Sequence, residues 1–432
     1  MKPAYLTIWW SWLALAIIAA ITPPSLIYWQ IAGIVLLLLA LIDAWKVWQL
    51  PDIKINRQVS SSLSLGVWSE VTLNLSNSTN HFFQLEIFDD YPINCDLQGQ
   101  PQTITLPPLA TLKIQYHICP QQRGSAKFSG VHLLHLSSWR IWKRYHYIKL
   151  QTPIRIYPNF ATMTKYALFA AENRLGQLGI RQIQRRGDGL EFHQLREYRI
   201  GDMLRQLDWN ATSRHKKLIS KEYQDERDQQ IIFLIDCGQR MLAKDGKLSH
   251  FDHSLNAILL LSYVALKQGD ALGLMTFSGK QRWLKPQKGM KTVNRVLDAV
   301  YDLQPSTHTS DYLHAANQLL SKQRKRSLVI LISNLRAEDN DELLPALQLL
   351  RKRHLVLLAS LQERILTEVL EQPIHNLEDA LRYTSTLSYL QQRYQAHNYL
   401  KSNGIVYLDT TPEQLPIKII NRYLDIKHSG ML

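Results

Sequence analysis

Asp236 closes the apolar run Ile231 to Ile235 and opens the hexapeptide DCGQRM. A carboxylate at a strand end, followed two and four residues later by hydroxyl side chains, supplies oxygen donors for Mg²⁺, which demands near-octahedral oxygen coordination. In this sequence those two positions hold Gly238 and Arg240. Glycine offers no side-chain oxygen, and arginine brings a charge that repels the ion. Other oxygen-bearing side chains stand at Thr307, Thr309, Ser310 and Asp311 of STHTSDY and at Asn334, which ends the run SLVILISN. No cofactor is expected; Mg²⁺ is the ion such a loop would take, and the donor set argues against it. The Arg240 guanidinium is expected to stand in the cation's place, paired with Asp236 or Asp311. A solvent-facing Arg240 is the competing outcome.

Other chemistry is absent from the pattern. The histidines, among them His193, His215, His250 and His253, form no HExxH spacing, and there is no GxSxG elbow or Walker-type phosphate loop. No catalytic residues are expected. Between Arg181 and Lys221 ten Lys or Arg stand against five Asp or Glu, with Phe192, Tyr198 and Trp209 interleaved. Such a mixture could grip nucleic acid. The carboxylates Glu191, Glu197, Asp202 and Asp208 lie among the basic residues, however, as expected where arginines are held by internal ion pairs. Nucleic acid is therefore not expected as a partner.

Several elements must position these residues. Leu6 to Thr22 and Ser25 to Trp45 are apolar stretches separated by Pro23 and Pro24, each about long enough for a bilayer core of about 30 Å. They read as an N-terminal transmembrane helical hairpin, residues 1–50. Lys2 precedes it, Lys46, Lys54 and Arg57 follow it, and the turn is uncharged, which puts both ends on the cytoplasmic side. The expected location is the bacterial plasma membrane, with the bulk of the chain cytoplasmic and the lipid bilayer as a partner. Cys95, Cys119 and Cys237 are too few and too irregular for a disulfide scaffold. The net charge of +14 suits a surface close to anionic lipid.

Residues 51–160 show a two-residue period, as in VTLNL and LKIQYHI, broken by SNSTN, DDYP and QQRGS. This is expected to be an all-β sandwich-like domain. Residues 161–228 hold a linker and the charged segment. From 229 to 432, apolar runs such as IIFLI, ALGLMTFS, SLVILISN and HLVLLASL alternate with helical stretches, which predicts an α/β domain with a mainly parallel sheet. Ligand sites in such sheets lie at the carboxyl ends of the strands, where DCGQR and SNL fall.

The segment GLEFHQLREYRIGDMLRQLDWNATSR resembles the signature of the Domain of Unknown Function 58 family, through Gly189, Glu191, Phe192, Leu195, Arg196, Tyr198, Gly201, Asp202, Arg205, Asp208, Trp209 and Arg214. The likeness continues through HLVLLASL to NRYLDIKHSGML. It implies a membrane-tethered fold of the von Willebrand factor type A kind, with Asp236 opening the metal loop of that fold and Asp236, Thr309 and Asn334 as a degenerate metal set that is expected to be unoccupied. It further implies a protein-interaction adaptor or scaffold, not an enzyme, acting with a MoxR-type AAA+ ATPase. The charged signature has two open readings. In one, its carboxylates and arginines brace the segment in bidentate pairs and Trp209 is an apolar anchor. In the other, Arg196, Arg205, Trp209 and Arg214, with Arg240, are protein-binding hot spots. A membrane-associated enzyme and a protein that binds nucleic acid or an anionic surface are the remaining alternatives.

Overall fold

The computed structural model of the 432-residue chain describes residues 2–3, 12–13, 16, 25–48, 53–80, 82–137, 142–159, 191–199, 204, 207–224, 229–429 and 431. Two units emerge, Met1–Ile156 and Tyr157–Leu432.

Alternating sequence builds the first unit. It contains β1 (Lys2–Pro3), helix α1 (Ser25–Trp48), β2 (Lys54–Gln58), β3 (Ser62–Ser64), β4 (Ser69–Ser76), β5 (Phe83–Asp89), β6 (Cys95–Gln98), β7 (Gln102–Leu106), β8 (Thr111–Pro120), β9 (Gly124–Leu136) and β10 (Trp142–Tyr157). One sheet runs β1-β10-β9-β5-β7 with β3 on β10, and the other runs β2-β4-β8-β6. Because successive side chains point to opposite faces, Val71, Leu73 and Leu75 of β4 turn inward together, as do Leu85 and Ile87 of β5, and all are buried. Arg57 is a buried polar exception. Its Nε donates to Asp89 Oδ2 at 2.9 Å, its Nη1 to the Leu150 carbonyl at 2.7 Å, and its guanidinium lies 4.4 Å from the Phe128 ring centre.

The transmembrane hairpin expected from the sequence is corrected. Among the described residues no helix is long and apolar enough to cross a membrane. The first expected helix, Leu6 to Thr22, lies outside the described residues apart from 12–13 and 16. The second forms as α1, but its final turns are committed to protein. The Trp142 indole donates to the Ala40 carbonyl at 2.9 Å, Arg144 donates to the Trp48 carbonyl at 2.7 Å, and Asp43 is buried. The residues of α1 ahead of Ala40 extend only about 22 Å, short of the roughly 30 Å of a bilayer core.

The second unit begins with a hairpin, β11 (Glu191–Glu197) and β12 (Ile219–Gln224), enclosing helix α2 (Trp209–His215). The α/β layers follow: β13 (Gln230–Asp236), the short pair β14 (Lys244–Asp245) and β15 (Leu248–Ser249), α3 (His250–Lys267), β16 (Ala271–Phe277), β17 (Trp283–Gln287), α4 (Lys291–Val300) and α5 (Tyr312–Lys322). Then come β18 (Leu328–Ser333), α6 (Asn340–Arg351), β19 (Leu355–Leu361), α7 (Arg364–Glu371), α8 (Leu377–Ser402), β20 (Val406–Thr410) and α9 (Leu415–His428). The sheet runs β17-β16-β13-β18-β19-β20. It is mixed: β17 pairs antiparallel with β16, and the other pairs are parallel.

Continuous apolar runs are required because this sheet is covered on both faces. Ile231, Phe233 and Ile235 pack with α3 and α9, whereas Ile232 and Leu234 pack with α5 and α6. Strand order reverses between β13 and β18, and the crevice at the carboxyl ends beside such a reversal is where open α/β sheets bind ligands. A strut fixes those ends. Buried Arg393 of α8 donates to the carbonyls of Leu335 at 2.6 Å and Leu361 at 2.8 Å, to Ser360 Oγ at 2.7 Å and to Asp409 Oδ1 at 2.8 Å.

Two consequences are measurable. Arg57→Met strands Asp89 in the core of the first unit, and denaturant unfolding should show a loss of about 3–5 kcal/mol; a change within the error of the fit would contradict the assignment. Burial, reinforced by Arg393 and opposed by Asp409, pushes His397 down to about 4 from 6.5. The unfolded chain binds this proton before the folded chain does, so stability falls as pH drops from 6.5 toward 4. His135 in the first unit, also lowered to about 4 by burial, adds to the same limb. His397→Gln should reduce the slope of the melting temperature across this window without abolishing it.

Candidate functional site at the strand ends

The pleat decides which residues meet at the crevice. In the register of β13 and β18, Ile232 pairs with Val329 and Leu234 with Leu331. Continued by one pair, this places Ser333 beside Asp236 and turns Asn334 to the opposite face. The side chains obey. Ser333 Oγ donates to Asp236 Oδ2 at 2.6 Å, and Tyr312 of α5, 3.1 Å from Ser333 Oγ, extends the chain. Because the Ser333 proton is already directed at Asp236, Tyr312 is the donor in that second bond.

Asp236 is fully buried. Its Oδ1 accepts the Gly238 amide at 2.8 Å, and Ser310 Oγ sits 2.8 Å from Oδ1 and 2.7 Å from Oδ2. A group held almost equally by both oxygens lies in the chelating notch of the carboxylate, where a cation would be bound. Burial pushes the Asp236 carboxyl up from its ordinary value, while Ser333, Ser310 and the Gly238 amide oppose the shift. Burial near this charge also raises the Tyr312 hydroxyl.

Gly238 is a steric requirement of this arrangement. A Cβ there would lie 2.5 Å from Ser310 Oγ and 3.0 Å from both Asp236 Oδ1 and the His308 carbonyl. A side chain at this position and the observed placement of the Ser310 hydroxyl exclude one another. Neighbouring backbone bonds close the loop: Gln239 N donates to the His308 carbonyl at 3.0 Å and Ser306 N to the Cys237 carbonyl at 2.7 Å.

The other expected metal donors go elsewhere. Thr309 is exposed on the rim. Asn334 donates to Glu363 Oε1 at 2.7 Å and lies 3.4 Å from His250 Nδ1, whose Nε2 is 3.2 Å from Asp245. These residues do not fit Mg²⁺ at Asp236. Among the described residues no group of three or more His, Cys, Asp or Glu is placed to hold a metal. The expected pairing of Arg240 with Asp236 or Asp311 is also corrected: its Nη1 forms an ion pair with Asp339 Oδ2. Asp339 accepts the Arg336 amide at 2.9 Å as well, so the pair ties the loop after β13 to the loop after β18. Ser310 is one of the residues the sequence offered in STHTSDY, and Ser333 stands one residue before the candidate Asn334.

Above this buried core opens a groove of about 640 Å³, lined in part by Arg240, Asp311, Leu313, Glu338, Asp341 and Glu342. Asp311 caps α5 by accepting the His314 amide at 2.8 Å.

In the signature hairpin, Asp208 Oδ1 accepts the amides of Asn210 and Ala211, each at 3.0 Å, and its carboxylate meets Lys221 at 3.4 Å. This carboxylate braces the segment. Trp209 is no apolar anchor, however, being 67% exposed. Arg214 is exposed in the last turn of α2, Arg196 donates to the Glu197 carbonyl at 3.2 Å, and Arg205 lies outside the described residues.

Residues 194–387 match the profile of a family described as "Protein of unknown function DUF58". No curated protein matches the chain. Among solved structures, proximal thread matrix protein 1 from the mussel byssus is 11% identical, with a TM-score of 0.27 over 47% of this chain and 46% of that one. A FixG-related protein from Vibrio parahaemolyticus is 10% identical, with a TM-score of 0.19 over 25% and 98%. A Salmonella alpha-2-macroglobulin mutant is 15% identical, with a TM-score of 0.20 over 24% of this chain and only 7% of its own length.

Gly238→Ser should lower stability by about 1–3 kcal/mol through overpacking, and Gly238→Ser with Ser310→Gly should recover most of that loss. Thermal unfolding of both variants checks it; a single variant melting with the wild type would show that Ser310 does not fill this space.

Proposed function

We propose, taking residues 194–387 as a DUF58 region, that the protein is an interaction adaptor. In this reading its α/β unit is a von Willebrand factor type A-like module whose strand-end loops are held by hydroxyl groups in place of an ion. The observation that carries the reading is Ser310 Oγ between both oxygens of Asp236. The acid that would anchor an ion or exchange a proton with substrate is enclosed and already satisfied.

The surfaces that face solvent favour contact with another protein. The groove sets Leu313 and Pro345 among charged rim residues. Trp209 is held outward by a helix start that Asp208 fixes. Tryptophan and arginine dominate the energetics of protein interfaces, and an exposed Trp209 favours the docking reading of the signature over the bracing one. The resemblance to the DUF58 family supplies the partner class, a MoxR-type AAA+ ATPase.

The test is affinity capture with nucleotide present, using the full chain and its Trp209→Ala variant. The chain should retain the ATPase, and the variant should weaken retention about 30-fold, the equivalent of about 2 kcal/mol at a hot spot. Equal retention by both, or none by the wild type, would overturn the proposal.

A further inference from the structure

The signature hairpin exposes apolar and basic groups. Leu195 is 46% exposed, Leu204 74% and Trp209 67%. Arg214, Lys216 and Lys217 are exposed around them. Lys217 pairs with the solvent-exposed Glu197 at 2.9 Å, and such pairs contribute little. Exposed apolar side chains beside exposed basic ones call for an acidic surface that offers apolar contact.

The strand-end groove has that character. Glu338, Asp341 and Glu342 form no ion pair among the described residues, and Leu313 and Pro345 lie between them and Asp311. In a chain of net charge +14, this acidic groove runs against the overall sign. Within one molecule the two faces do not meet: Trp209 stays 67% exposed while the groove stands open.

We infer that the occupant of the Trp209 face is a second copy of this chain, whose strand-end groove receives the hairpin in a head-to-tail contact. The inference rests on the reading of both faces as docking surfaces. A pair in such a contact keeps one hairpin and one groove free, so the arrangement is heterologous and extends or closes into a ring. Only a free hairpin remains available to an ATPase.

Light scattering coupled to size exclusion tests this on the full chain, in mild non-ionic detergent to suppress contacts through the exposed leucines of α1. The wild type should exceed monomer mass, and association should weaken about tenfold or more as salt screens the opposed charges. Trp209→Ser with Leu204→Ser, and separately Glu338→Lys with Asp341→Lys, should each give monomers. All four substitutions are on exposed side chains. An equimolar mixture of the two variants should give dimers and nothing larger, because one intact hairpin meets one intact groove. A monomeric wild type, assembly that survives either variant, or a mixture that stays monomeric would overturn the inference. If the wild type is monomeric yet Trp209→Ala loses the ATPase, self-association fails and the adaptor reading stands.

Discussion

A single buried carboxylate organises the strand ends. Asp236 is enclosed where the sheet reverses its strand order, and burying an unpaired ionised acid is prohibitively unfavourable. The chain meets that demand with donors from separate segments: the Gly238 amide just beyond β13, Ser310 ahead of α5, and Ser333 at the end of β18. Each donor fixes the segment that carries it. Removing the acid would release three loops at once, since the bonds that hold them converge on its two oxygens.

Around this centre, charged contacts lock the loops to one another without entering the notch. Arg240 and Asp339 bridge the loops after β13 and β18. Arg393 reaches from α8 across the carboxyl ends of β18, β19 and β20. Buried arginine with its donors fully engaged is costly to remove and specifies a unique arrangement. The result is a rigid platform from which the groove residues face solvent. Such a platform suits recognition, where preorganised surfaces lose less entropy on binding.

Much of this was legible in the sequence, and the failures have physical causes. The apolar runs and their alternation with helices point to an α/β layer, and the family profile covers residues 194–387. Asp236 was identifiable because an acid at the end of an apolar strand has few purposes. Of its partners, Ser310 was among the residues offered by STHTSDY, and Ser333 was missed by one residue. Thr309 and Asn334 were read by analogy with a loop pattern, whereas the pleat selects Ser333, and the space left by Gly238 admits Ser310. Counting parity from Ile232 and Val329 would have found Ser333, but the pairing of β13 with β18 is not written in either strand. Arg240 was placed by charge alone, and its partner Asp339 lies 99 residues away. At the N-terminus, apolar length suggested a spanning hairpin; the donors at Trp142 and Arg144 that claim the end of α1 are remote in sequence.

The central claim is that a hydroxyl, not an ion, completes Asp236. Anomalous diffraction from crystals grown in millimolar Mn²⁺ tests it most directly, since Mn²⁺ scatters detectably and shares the oxygen preference of Mg²⁺. The account predicts no anomalous peak at Asp236, with Ser310 Oγ within hydrogen-bond distance of both carboxylate oxygens. A peak about 2 Å from Asp236, with Ser310 displaced from the notch, would contradict it.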